Sequence, residues 1–260
     1  MESEAAPDSR DHVGFTSELG CSVSVAGETL VGTGRVAPEL CLPEAGVARP
    51  SVLLAWADIL TGSLANEYTL PRVCMTVDLS VRIVASVPSG ADLVAVGRIL
   101  KTGRTLTFGE TTFSIAGDDA VVAESLGTFA ASPRPQDLGV SNTAVSGPAK
   151  RNVVAPPAPV AEMLGSRVIA PGIVEADRHE RILNWAQTVQ GGAVAALAEE
   201  AVLALDDAPV PNELEVRYLA AVREGPMRAT ARRLGSWVRV EVVDAGSADR
   251  LAAVAIARGD

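Results

Sequence analysis

Hydrophobic and polar positions along this chain fall into the same order twice. In the first pass, alternating segments at 22–25 and 29–36 predict strands, followed by a turn-rich stretch to Gly46. Val52, Ala55, Trp56, Ile59 and Leu60 then recur at helical spacing, predicting a helix over 51–64. Met75, Val77, Leu79, Val81 and Ile83 alternate with Thr76, Asp78, Ser80 and Arg82, the mark of a half-buried strand whose odd positions face the core. Three more strands are expected near 92–100, 104–115 and 121–131, separated by Ser89-Gly90, Thr102-Gly103 and Gly117-Asp118.

The second pass gives short strands near 167–177, a helix over 191–205, an alternating strand through Leu214, Val216 and Tyr218, and strands near 227–234, 237–244 and 250–258. Val87-Pro88-Ser89-Gly90 corresponds to Val222-Arg223-Glu224-Gly225. Between the passes, 133–159 is rich in Pro, Ser, Ala and Asn without a sustained period, and reads as a linker. The expected organisation is therefore a unit at 14–132, a linker at 133–159 and a unit at 160–260. A single long apolar helix beside a meandering antiparallel sheet is buried only if the sheet wraps around it, which makes the class α+β.

The two helix starts align residue by residue. Arg49-Pro50-Ser51 corresponds to Gln190-Gly191-Gly192, and each helix carries one acid eight residues after its Pro or Gly, Asp58 in one and Glu199 in the other. A glycine at a helix start can turn its N–H toward a ligand oxygen, whereas proline has no N–H to give. One half thus keeps an acid and the other a donor, so one composite site per chain is expected.

Composition narrows the chemistry. With 48% apolar and 21% charged residues the chain is ordinary for a globular protein, and a net charge of −10 argues against a nucleic-acid or anionic-membrane surface. No apolar run reaches membrane-spanning length, no leader pattern opens the chain, and a cytoplasmic location is expected. Cys21, Cys41 and Cys74 are scattered, and the only histidines are His12 and His179. Zinc or other metal sites, disulfide frameworks and Ser-His-Asp or Cys-His mechanisms are disfavoured, and no metal or cofactor is expected. Trp56, Trp185 and Trp237 sit in apolar stretches and are expected in the core or at an interface.

In its full order the pattern resembles the hotdog-fold acyl-CoA thioesterases, the branch of the phenylacetate-pathway and 4-hydroxybenzoyl-CoA enzymes, in a tandem or double-hotdog form covering nearly the whole chain. That family's pattern is an Asn or Gln, a His-Gly-Gly at the helix start, an acid on the helix, and a Ser or Thr on the next long strand. Asn184 lies seven residues before Gly191, Gln190 stands at the usual His, and Thr76 fills the hydroxyl position, while Pro211 occupies its counterpart in the second half.

The resemblance implies two antiparallel sheets, each wrapped around its own helix. It implies hydrolysis of acyl-CoA thioesters at a site combining Asp58 and Thr76 with Asn184 and the Gly191 N–H, the second site being dead. Gln190 and Gly192 would contribute to substrate binding, and Lys101 and Arg104 would meet coenzyme A phosphates. Association into homo-oligomers is a further implication. Two other readings stay open at this level: a hotdog dehydratase, and a non-catalytic acyl-CoA or acyl-carrier binder. From the residues alone, Asn184 could equally cap a turn, Thr76 could be a simple strand residue, and Glu199 and Glu200 could pair with Arg49 across a helix interface.

Overall fold

The computed structural model describes residues 14–133, 155–184 and 186–259. His12, Trp185 and most of the linker lie outside them.

In the first half, β1 (Ser22–Ala26) and β2 (Thr29–Arg35) form a hairpin, followed by α1 (Pro50–Thr69) and then β3 (Cys74–Ile83), β4 (Asp92–Thr102), β5 (Leu106–Ile115) and β6 (Val121–Ala131). The second half begins with a single turn of helix, α2 (Val160–Leu164), before β7 (Ser166–Ala170), β8 (Ile173–Ala176), α3 (Gly191–Leu203), β9 (Pro211–Tyr218), β10 (Met227–Leu234), β11 (Trp237–Asp244) and β12 (Arg250–Gly259). Gly90 and Gly225, matched in the sequence, both take the left-handed conformation, with φ of 84° and 68°. α1 runs about a turn beyond its expected end because Ala65 and Thr69 continue its buried face, and it stops at Leu70, which the following Pro71 holds out of the helical region.

The expectation of two sheets is corrected here. The strands form a single twelve-stranded sheet in the order β1-β2-β4-β5-β6-β3-β9-β12-β11-β10-β8-β7, and each half contributes six consecutive strands. β3 and β9 join the halves as an antiparallel pair, with Ser80 opposite Glu215 and Leu79 opposite Val216. Each half would otherwise end on a strand with a row of unpaired N–H and C=O groups, and pairing the two satisfies both.

Both helices pack on this sheet and on each other. They run antiparallel, and Gly192 lets them approach closely, since a Cβ there would fall 3.0 Å from Cβ of Ala55. α1 also presses against its own sheet. A Cβ at Gly34 would meet Trp56 at 2.6 Å, and one at Gly109 would meet Thr61 at 2.8 Å. Trp56 is fully buried, its indole N–H donating to the Leu19 carbonyl at 2.9 Å. Trp237, expected in the core or an interface, is instead 40% exposed at the β10–β11 turn, where the Arg258 guanidinium stacks on its ring. Among the described residues no helix is long and apolar enough to cross a membrane.

Candidate functional site

β3 does not keep the alternation of its sequence. Its pairing with β6 slips between Thr76 and Asp78, leaving Val77 as an extra residue. A bulge reverses the facing of everything on one side of it. Leu79 and Val81 point into the core as their spacing predicts, while Met75, expected inside, is 57% exposed. Thr76 turns inward instead, and its hydroxyl donates to Oδ1 of Asp58 at 2.8 Å. The helical acid and the strand hydroxyl, eighteen residues apart, are thereby brought together.

Asp58 itself sits on α1 beside Thr76 of β3, near enough to Tyr218 for its charge to act on that phenol. Burial pushes its carboxyl up to about 6, the Thr76 hydrogen bond working in the opposite direction. No cation pairs with it among the described residues.

On the facing side, Gly191 and Gly192 open α3. As the first residues of a helix they have no internal carbonyl to bond, and their N–H groups find no partner among the described residues. Tyr218, at the end of β9, packs its ring over Gly191, and its hydroxyl donates to the Gly191 carbonyl at 3.0 Å. Burial raises the phenol well above its ordinary value, and the nearby Asp58 and Asp78 carboxylates add to this, so the hydroxyl stays protonated as a donor.

The symmetric position is filled from within. Glu199, 1% exposed, accepts from the Ser51 N–H at 2.9 Å, from the Ser51 hydroxyl at 2.7 Å and from Nε of Arg49. Arg49, equally buried, also reaches Glu200. An acid on one helix thus caps the start of the other, the pairing with Arg49 that the sequence left open. A cleft of about 430 Å³ opens beside this staple, lined by Pro43, Arg49, Ser89 and Glu200 among others, but the Arg49 charge there is already consumed.

The staple also calibrates the complete side. Ser51 lies against Glu199, and the pair that matches them by sequence on this side is Gly192 and Asp58, with Gly192 itself packed on Ala55. Where Glu199 accepts from the Ser51 N–H, Asp58 accepts from Thr76 and no bond joins it to the Gly191 or Gly192 N–H among the described residues.

The remaining sequence candidates distribute unevenly. Oδ1 of Asn184 is engaged locally, accepting from the Ala186 N–H at 2.9 Å, the Thr188 N–H at 3.2 Å and the Thr188 hydroxyl at 3.1 Å. That is a turn cap, and only its Nδ2 remains for a ligand. Gln190 is committed at both ends of its amide, donating to the Leu183 carbonyl at 2.7 Å and accepting from the Thr16 N–H at 3.3 Å. Lys101 and Arg104 are exposed on the β4–β5 hairpin, and Arg72 joins them by donating to the Arg104 carbonyl at 3.0 Å. Among the described residues none of these three has a carboxylate partner. The sequence reading missed Tyr218 and Arg72. Ile83 occupies the place of Tyr218 in the first half, and that asymmetry was the available signal.

Residues 46–124 match the family model described as the thioesterase superfamily. No curated protein matches the chain. Among solved structures, the chain is similar to the 12:0-ACP thioesterase of Umbellularia californica, at 12% identity and a TM-score of 0.61, over 90% of this chain and 98% of that one. It is also similar to a Novosphingobium aromaticivorans protein provisionally named a thioesterase, at 16% identity and a TM-score of 0.57, over 91% and 96%. An acyl-ACP thioesterase of Bacteroides thetaiotaomicron gives 12% identity and a TM-score of 0.56, over 89% and 97%. At these identities the likeness is one of fold: a large antiparallel sheet with few helices.

Proposed function

We propose that this chain hydrolyses acyl thioesters, with coenzyme A as the thiol carrier, at one site formed jointly by its two halves. The observation that carries the reading is the desolvated Asp58–Thr76 pair opposite a helix start whose N–H groups are unengaged, while the twin position is closed by Arg49, Glu199 and Ser51. The family match over 46–124, which spans Asp58 and Thr76, and the likeness in fold to thioesterases support the reaction class.

In this reading the thioester carbonyl lies against the Gly191 and Gly192 N–H groups, which polarise it at the positive end of α3. Asp58, ionised, takes a proton from a water held by the Thr76 hydroxyl, and the resulting hydroxide adds to the carbonyl carbon. The oxyanion forms at the N–H pair. Collapse breaks the carbon–sulfur bond, and the proton passes from Asp58 to the departing thiolate. Attack by the Asp58 carboxylate itself, through an anhydride that water then opens, uses the same groups. Tyr218 fixes the Gly191 peptide and so the direction of its N–H. The carboxamide Nδ2 of Asn184 assists at the carbonyl, and Arg72, Lys101 and Arg104 offer charge to the phosphates of the carrier.

The test is thiol release from a panel of acyl-CoAs, with and without Asp58→Asn. Hydrolysis by the wild type that falls by orders of magnitude in the variant supports the reading. Binding of thioesters without thiol release would instead identify a non-catalytic binder.

A further inference from the structure

Two glycines make a poor mount for hydrogen-bond donors that must be aimed, because glycine imposes little direction on its own backbone. The other helix start has no such weakness: Pro50 has a fixed φ, and Ser51 is held by Glu199. The Gly191-Gly192 start is instead braced by its neighbours. Gln190 carries the peptide that ends in the Gly191 N–H, and the carbonyl of that peptide accepts from the Ala193 and Val194 N–H groups, both at 3.1 Å. The Gln190 N–H donates to the Ile182 carbonyl at 2.9 Å and its Nε2 to the Leu183 carbonyl at 2.7 Å.

The remaining atom of that amide reaches across the chain. Oε1 of Gln190 accepts from the Thr16 N–H at 3.3 Å, in a 3-10 turn at Phe15–Leu19 that lies against both α1 and α3. This turn is itself anchored. Phe15 and Leu19 are buried, the Leu19 carbonyl takes the Trp56 indole N–H, and the Glu18 carboxylate takes Nε and Nη2 of Arg181 at 2.7 and 2.8 Å. Thr16 also packs on the helix start, since a Cβ at Gly192 would lie 3.5 Å from its Cγ2.

The second half supplies an internal comparison. α2 is the counterpart of this turn, for Leu19-Gly20 and Leu164-Gly165 each end it with a buried leucine and a glycine at positive φ, 75° and 62°. Thr16 then matches Ala161, as Gln190 matches Arg49. Arg49 turns to Glu199 and Glu200, and among the described residues no hydrogen bond joins its side chain to α2. The link from the residue before the helix to the neighbouring turn exists only beside the glycine start. Resting on the thioester reading above, we propose that Gln190 is a positioning residue: braced against the Phe15–Leu19 turn through Thr16, it aims the Gly191 N–H at the thioester carbonyl without touching the substrate.

The experiment has two arms, both on the full chain, with Gln190→Met and Gln190→Glu. Methionine keeps the length of the side chain and loses both hydrogen bonds, whereas glutamate keeps an acceptor for the Thr16 N–H. In the first arm, amide hydrogen exchange is followed in peptides covering 14–20 and 186–194. Gln190→Met should speed exchange in both by roughly threefold to tenfold, and Gln190→Glu should do so less in 14–20. In the second arm, thiol release from acyl-CoA should show kcat lowered about tenfold in Gln190→Met with KM within about twofold, and partly recovered in Gln190→Glu. Unchanged exchange overturns the brace. Faster exchange with unaltered kcat overturns the positioning role, and a raised KM with unaltered kcat makes Gln190 a substrate contact instead. A wild type that releases no thiol overturns the hydrolase reading, and the exchange arm then decides the brace alone.

Discussion

The Thr76 hydroxyl donates to Oδ1 of Asp58 across 2.8 Å, and it can do so only because Val77 bulges out of the β3–β6 ladder. The bond opposes the effect of burial, which holds the Asp58 carboxyl at about 6. Thr76→Val should therefore raise that value further and shift the acidic limb of the kcat/KM profile to higher pH. Thr76→Ser should restore the profile. A limb that stays in place when the hydroxyl is removed would show that another group titrates there.

The same burial has a consequence for stability. A carboxyl raised by folding contributes stability that is complete below its unfolded value, near 3.8, and is lost as pH rises through about 6. Asp58→Asn should thus melt at a higher temperature than the wild type at pH 8, the gap closing toward pH 4, while turnover falls by roughly two to four orders of magnitude. Melting curves at the two pH values and single-substrate kinetics check both parts. A variant that is less stable than wild type at pH 8 would contradict the desolvated state of the carboxylate.

Gly191→Pro would copy what the first half already has at Pro50. Gln190 holds extended angles, φ −64° and ψ 144°, which a following proline accepts, and proline is tolerated at the first position of a helix. Loss of one carbonyl-polarising donor should lower kcat by about a hundredfold or more, with little change in melting temperature. Undiminished turnover would assign the donor role to Gly192 alone, the residue that matches Ser51 at the other helix start.

Glu199→Gln tests the staple. Removing the carboxylate leaves the Arg49 guanidinium, buried at 2% exposure, with Glu200 as its remaining carboxylate partner. Breaking a buried pair from one side costs roughly 3–5 kcal/mol, so a clear drop in melting temperature is expected, with kcat near wild type at a temperature where the fold is intact. Arg49→Met combined with Glu199→Leu should lose less stability than the two single losses together. A kcat defect as deep as that of Asp58→Asn would mean that two sites operate.

Tyr218→Phe removes the hydroxyl that holds the Gly191 carbonyl. One hydrogen bond of this kind contributes about 0.5–1.5 kcal/mol. Turnover should fall several-fold with KM little changed, because the bond orients a donor that acts on the transition state. An unaltered kcat would reduce Tyr218 to a packing residue.

Much of the molecule was legible along the chain because its signals are local. Apolar spacing gives α1 and α3, alternation gives the strands, and the matched Gly90 and Gly225 mark the same left-handed turn in each half. The proline and glycine at the two helix starts state, without coordinates, which half can offer an N–H. The pairing of Arg49 with Glu199 and Glu200 was one of the open readings, since complementary charges stood at matched helix ends.

Other features depended on the assembled fold. Alternation alone would point Met75 inward and Thr76 outward, and only the bulge at Val77, a defect of strand pairing with no signature in β3 itself, reverses them. Merger of the halves into one sheet required two edges to meet, β3 and β9, in a register that no single strand encodes. Asn184 carries the same side chain whether it caps a turn or greets a substrate, and only the fold shows that its Oδ1 serves the turn, accepting from Ala186 and Thr188, while its Nδ2 is left over. Sequence determined which residues could do chemistry. Tertiary structure decided which of them meet, because hydrogen bonds and desolvation act over a few ångströms between residues far apart in the chain.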